Sequence, residues 1–117
     1  MYLKKINFKN KIALVTGAGK GLGRACSIAL AESGAHVLAV SRTRSDLDKL
    51  EKNIKKINGK ITKIVCDVTS YQDLVNKINK INRIDVLVNN AGTNIPELFK
   101  RVKQESLNYL INLNLKA

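Results

Sequence analysis

Four short apolar runs set the terms for this chain: KIALVTG at 11–17, HVLAVS at 36–41, KITKIVC at 60–66 and IDVLVN at 84–89. Each reads as a strand, and the first, a short apolar run ending in glycine, has the character of a parallel strand covered on both faces. Between them lie segments with helical periodicity. Leu22 to Ser33 carries Leu22, Ala25, Cys26, Ala29 and Leu30 on one side, and Gly34 closes it as a C-terminal cap. Ser45 with Asp48 three residues later forms a capping-box-like start, after which Leu47, Leu50, Ile54 and Ile57 recur until Gly59. Ser70 with Asp73 repeats that start, with Leu74, Val75, Ile78 and Ile81 as the buried face. Beyond a loop that carries the only proline, Pro96, a fourth helix is predicted from about Gln104 to the end, with Leu107, Leu110, Ile111 and Asn114 on one face.

Strand and helix in strict alternation imply parallel strands joined by right-handed crossovers. The fold class is therefore α/β, a doubly wound parallel sheet with helices on both faces, which is the architecture of nucleotide-binding sheets. At 117 residues the chain is sized for one domain, 1–117, with a modest core and no stretch that reads as a linker.

Composition narrows the function classes. The apolar runs are too short to cross a bilayer, and the N-terminal MYLKKINFKN lacks the apolar block of a secretory signal, so a soluble cytoplasmic protein without a membrane partner is expected. Cys26 and Cys66 stand forty positions apart with no CxxC and no histidine cluster, which predicts two buried thiols in a reducing compartment and no metal. The formal net charge of +12 comes from scattered lysines in KKIN and NKIN echoes of irregular spacing. Solvated helix faces account for them. A nucleic-acid partner is not expected, because no aromatics are interleaved with the lysines for base stacking. The single histidine, His36, opens a strand and is read as structural.

The stretch VTGAGKGLGRA, 15–25, places glycine at 17, 19, 21 and 23 between the first strand and the first helix. Glycine costs conformational entropy, so four together imply a tight turn, a close approach to another surface, or both. A helix N-terminus offers unpaired N–H groups and about half a positive charge, which suits a pyrophosphate if no Cβ holds it away. The spacing is T-G-x-x-x-G-x-G and not G-x-G-x-x-G, since position 22 is Leu.

That spacing, with CDVT at 66–69, NNAG at 89–92 and INLNLKA at 111–117, resembles the N-terminal half of the short-chain dehydrogenase/reductase family. The four signatures stand in the family's order over almost the whole chain. The run VLAVSRTRSDLDKL is also similar to the family's sugar, polyol and dicarbonyl reductases. The resemblance implies a Rossmann-like sheet, here four strands in the order 3-2-1-4. It implies that Thr16, Gly17, Ala18, Gly19, Lys20, Gly21, Leu22 and Gly23 form the turn around the cofactor phosphates. Asp67 would accept a hydrogen bond from the adenine amino group with Val68 beside it, Asn89, Ala91 and Gly92 would line the floor near the ribose, and Asn90 would tie strands together. Position 41 is Ser and position 42 Arg where an acid would favour a free ribose 2′-hydroxyl. With Lys20 in the turn, two cations could flank a 2′-phosphate, so NADP(H) is favoured over NAD(H). Arg44 is an outside candidate for the same role, and Arg24 is expected to pack or pair.

The family's chemistry is hydride transfer between nicotinamide and a carbonyl or alcohol, with a serine and a Y-x-x-x-K as catalytic groups. None of Tyr2, Tyr71 and Tyr109 begins a Y-x-x-x-K. Only Asn114 matches a catalytic position, that of an asparagine anchoring a water in the proton relay. The chain is therefore expected to be a fragment of such an oxidoreductase, inactive by itself and marginally stable, with strand 84–89 left as an edge. The full-length protein is expected to be a homo-oligomer acting on a small carbonyl or alcohol substrate. The alternative is a non-catalytic nucleotide-binding module.

Overall fold

The computed structural model describes residues 7–92 and 104–105. Elements run in the order β1 (Ile12–Thr16), α1 (Gly21–Glu32), β2 (His36–Ser41), α2 (Arg44–Lys56), β3 (Lys60–Val65), α3 (Tyr71–Ile78) and β4 (Val86–Val88). The four strands form one parallel sheet in the order β3-β2-β1-β4, as expected. Winding runs outward from β1 through β2 to β3, then reverses to β4 on the other side of β1. The switch point is therefore between β1 and β4.

Alternation along the strands sorts the core into two layers. Ala13 and Val15 of β1 face the same way as Val37 and Ala39 of β2, and Val15, Val37 and Ala39 pack with Ala31 of α1 and Leu47, Leu50 and Ile54 of α2. The other layer joins Leu14, Leu38, Val40 and Cys66 to Leu74 and Ile81 around α3. Leu47, Leu50 and Ile54 are fully buried, each contributing about 1.5–3 kcal/mol of transfer free energy.

Helix α1 departs from the expected face. Its buried row is Gly23, Ser27 and Ala31, spaced i, i+4, while Leu22 is 77% exposed and Ala25 is exposed. The cause is proximity: a Cβ on Gly23 would strike the carbonyl oxygen of Gly17, so only small side chains fit where α1 lies against the end of β1. Ser27 conceals its hydroxyl by donating to the Gly23 carbonyl at 2.8 Å. Cys66 is buried as expected, but Cys26 is only half-buried.

The helix ends follow local rules. Gly34, at φ 101°, terminates α1, with Gly34 N donating to Ala31 O and Ala35 N to Leu30 O. Asn58, at φ 56°, does the same for α2, with Gly59 N donating to Ile54 O at 2.9 Å. The start of α2 corrects the sequence reading: Thr43, not Ser45, is the N-cap and makes no side-chain capping bond. Asp48 is drawn instead to Lys63 of β3 at 2.8 Å, an ion pair shared with Glu51 at 3.2 Å. Ser70 caps α3 as expected, accepting from Asp73 N. Ile57 and Ile78, expected in buried rows, are each 40% exposed because both lie at the ends of their helices.

β4 spans three residues rather than the six of IDVLVN and pairs, among the described residues, with β1 alone. Its entry is held by Asp85, which accepts from Ile12 N at 2.8 Å and from Arg83 Nε at 3.0 Å. Pro96 and the predicted fourth helix lie outside the described residues, apart from helical Gln104 and Glu105. Among the described residues no helix is long and apolar enough to cross a membrane.

Candidate functional site

The carboxyl ends of all four strands open on one crevice of about 550 Å³. Gly17, Gly19, Lys20, Gly21 and Leu22 wall it from the β1–α1 turn, Ser41, Arg42 and Thr43 from the end of β2, Asp67 and Val68 from beyond β3, and Asn90, Ala91 and Gly92 from beyond β4.

The turn is built by close packing. Gly17 sits at φ 63°, and a Cβ there would stand 3.0 Å from Ala91 Cα and 3.1 Å from Asn90 Nδ2. A side chain at Gly17 would meet both a strained backbone and an occupied space. Thr16 is buried at the end of β1, and its hydroxyl oxygen accepts from the N–H groups of Asn90 and Ala91, both at 3.0 Å. Asn90 returns its side-chain amide to the Gly17 carbonyl at 3.3 Å. These bonds lock the β1–α1 turn to the end of β4 across the switch point.

The N-terminus of α1 opens on the crevice without a side-chain cap, since Lys20 at the N-cap makes no capping bond and no acid occupies the first turn. Among the described residues nothing outside the helix bonds its first N–H groups, which face an open space. Asp67 sits opposite. Its Oδ1 accepts from Thr69 N at 2.9 Å and Thr69 Oγ1 at 2.6 Å, and these bonds, with the Arg42 charge, hold its carboxyl below the usual carboxylate range. Thr43 N donates to Ser41 Oγ at 3.1 Å, which fixes the serine at the rim.

Not every residue expected at the site lines it. Ala18 is fully buried, its N–H continuing the ladder to Val40 O at 3.0 Å. Gly23 faces the turn from within α1, and Thr16 and Asn89 border a separate apolar recess on the α3 side of the sheet. Asn114 lies outside the described residues. His36 bonds Thr62 Oγ1 at 2.7 Å across β2 and β3, at the opposite end of the sheet. The Arg24 Nε is buried without a hydrogen-bond partner among the described residues.

Four residues that the sequence did not point to also line the crevice, Val40, Thr43, Asp46 and Cys66, and of these Asp46 is the charged one. It lines the wall in the first turn of α2, with Oδ2 at 3.7 Å from Lys20 Nζ. Its signal was present: Asp46 precedes Leu50 by four residues and Ile54 by eight, so it tops the row that α2 turns toward the sheet. Reading the helix start at Ser45 hid it. Among the described residues no group of three or more His, Cys, Asp or Glu side chains is placed to hold a metal.

A doubly wound parallel sheet with a glycine-walled crevice at its switch point defines the class of dinucleotide-binding α/β folds. Residues 11–117 match the family model described as short chain dehydrogenase, and the chain belongs to that family. It is 38% identical over 116 residues to the 3-oxoacyl-[acyl-carrier-protein] reductase FabG of Thermotoga maritima, covering 96% of this chain and 47% of that protein. It is 39% identical over 105 residues to the L-xylulose reductase of Mesocricetus auratus, covering 90% and 41%. Among solved structures, it superposes on an NAD+-bound xylitol dehydrogenase with a TM-score of 0.88 at 28% identity, covering 93% and 44%. A hydroxysteroid dehydrogenase from Escherichia coli gives 0.84 at 30% identity, covering 94% and 48%. The chain spans about half the length of the curated relatives it matches.

Proposed function

We propose that the crevice binds the adenosine and diphosphate of a nicotinamide dinucleotide, NADP(H) in preference to NAD(H). The whole protein would use it as an oxidoreductase. The observation that carries this reading is the uncapped N-terminus of α1, opening beside Gly17, Gly19 and Gly21 into a space where the winding of the sheet reverses. The glycines keep side chains out of the approach, and the free N–H groups and helix dipole favour an anion. Gly17, Gly19, Lys20, Gly21 and Leu22 would meet the diphosphate. Asp67 and Val68 would meet the adenine, and Ala91 and Gly92 the ribose. Thr16, Ala18, Gly23, Asn89 and Asn90 would hold the frame.

When bound, the dinucleotide supplies a hydride acceptor or donor for a carbonyl or alcohol substrate. This chain's residues bind and orient it. Substrates of that kind are consistent with the relatives' names, a homo-oligomer and a cytoplasmic setting belong to the same reading, and Asn114 would anchor a water in its proton relay. In the whole protein a serine and a Y-x-x-x-K would supply the acid–base chemistry.

Preference for the 2′-phosphate rests on Ser41, Arg42 and Lys20 at the rim. Titration with 2′,5′-ADP against 5′-AMP tests it. The expected result is at least about tenfold tighter binding of 2′,5′-ADP, the worth of one hydrogen bond to a charged group. That preference should disappear in the Lys20→Ala, Arg42→Ala double variant. Equal affinities in the unmodified chain, unaltered by the substitutions, would remove the support for NADP(H).

A further inference from the structure

We propose that Asp46 is a specificity-determining residue of this crevice, weakening its hold on a ribose 2′-phosphate so that phosphorylated and unphosphorylated dinucleotides compete more evenly than Lys20 and Arg42 alone would allow. The inference rests on the preceding reading and concerns the same site.

Asp46 is held in place by backbone packing. A Cβ on Gly19 would stand 2.8 Å from Asp46 Cβ and 3.1 Å from Ser41 Oγ, so the turn lies directly against the first turn of α2. The Asp46 side chain is only 14% exposed, whereas that of Lys20 is 82% exposed. The carboxylate is therefore a fixed feature of the wall, and the ammonium is a solvated group tethered to it at 3.7 Å. Its position in the first turn of α2 also makes the negative charge favourable for the fold.

The crevice thus presents opposing charges at one rim: Arg42 and Lys20 attract a phosphate, and Asp46 repels it while competing for Lys20. The net sign follows from exposure. An ion pair on a solvated lysine contributes little, so Lys20 loses little positioning when Asp46 is neutralised. Removing one negative charge beside an incoming dianion acts directly on affinity, even in a water-like dielectric. Its effect is about three- to tenfold at low ionic strength and less as salt rises.

Asp46→Asn is the test, with the same pair of ligands. The expected result is that 2′,5′-ADP binds about three- to tenfold tighter than to the unmodified chain at low salt, with the gain shrinking as salt is added, while 5′-AMP binding changes by less than about twofold. Asp46→Glu, which keeps the carboxylate, should return the original ratio and controls for folding of the α2 start. Affinity for 2′,5′-ADP that is unchanged or weaker in Asp46→Asn, or a gain shared equally by 5′-AMP, would overturn this inference alone, provided the unmodified chain still prefers 2′,5′-ADP through Lys20 and Arg42. Absence of any preference in both the unmodified chain and Asp46→Asn would overturn this inference and the preceding reading together.

Discussion

Gly23 shows how little freedom single positions have here. Its Cα hydrogen points at the Gly17 carbonyl and the Asn90 amide, and neither a backbone oxygen nor an amide already bonded to it can retreat far. Gly23→Ala should therefore destabilise the chain by about 1–3 kcal/mol or more, the usual cost of overpacking. Gly21→Ala is the contrasting change, because no atom of the described residues lies within 4 Å of a Cβ there and the backbone at φ 54° is what resists it. Urea denaturation of the two variants tests this, with the larger loss at Gly23 expected; equal losses would mean that the turn is not packed against α1. Thr16 is a second residue whose role is mechanical. Its one oxygen receives both N–H groups that follow Asn89, so the NNAG segment takes its shape from β1.

At the scale of elements, the strands were readable because β1 and β2 are covered on both faces and carry continuous apolar runs. The capping chemistry at Gly34 and Ser70 was equally plain. The face of α1 differs from its hydrophobic periodicity because the helix lies so close to the sheet. A periodicity argument ranks residues by hydrophobicity and so selects Leu22 and Ala25. The contact admits only Gly23, Ser27 and Ala31, a choice made by size. The start of α2 was misread because Asp48 has a stronger partner in Lys63 than in a helix N–H.

These inter-element ties also predict the pH response. Asp85 is held below its ordinary range by the Ile12 N–H first and by Arg83, Asp67 by its Thr69 bonds, and Asp48 by its bond to Lys63. Each carboxylate is depressed in the folded chain. Its contribution is therefore complete above the unfolded value of about 4 and is lost as pH falls through the folded value. Burial pushes the Cys66 thiol up to about 11, so its contribution is complete below the unfolded value and is lost as pH rises from about 8.5 toward 11. Lys63, raised by Asp48 and Glu51, is lost still further into alkali. The midpoint of urea unfolding should be flat between about pH 4 and 8.5 and fall on both sides. A midpoint that rose on acidification below pH 4 would contradict the Asp85 and Asp67 contacts.

For the molecule as a whole, the two ends of the sheet differ in kind. The carboxyl end gathers glycines, uncapped amides, Ser41, Arg42 and Asp67 around one crevice. The amino end gathers Lys11, His36, Lys60 and Arg83 around a smaller one. Net charge alone would draw an anion toward either end, and only the first joins open space to helix amides. The fold class and most of the crevice were legible in the sequence because the glycine turn and NNAG flank the switch point. Asp46 is legible only as the top of the Leu50–Ile54 row; that it walls the crevice depends on how closely α2 seats against Gly19.

In the proposed complex the turn from Gly17 to Gly23 receives the dinucleotide's diphosphate. Backbone amide shifts recorded while NADP+ is titrated into the chain test it most directly. The largest changes are predicted at Gly21, Leu22 and Gly23, with smaller ones at Asp67 and Gly92. Changes concentrated instead at Lys11, His36, Lys60 and Arg83, with the α1 amides unmoved, would contradict it.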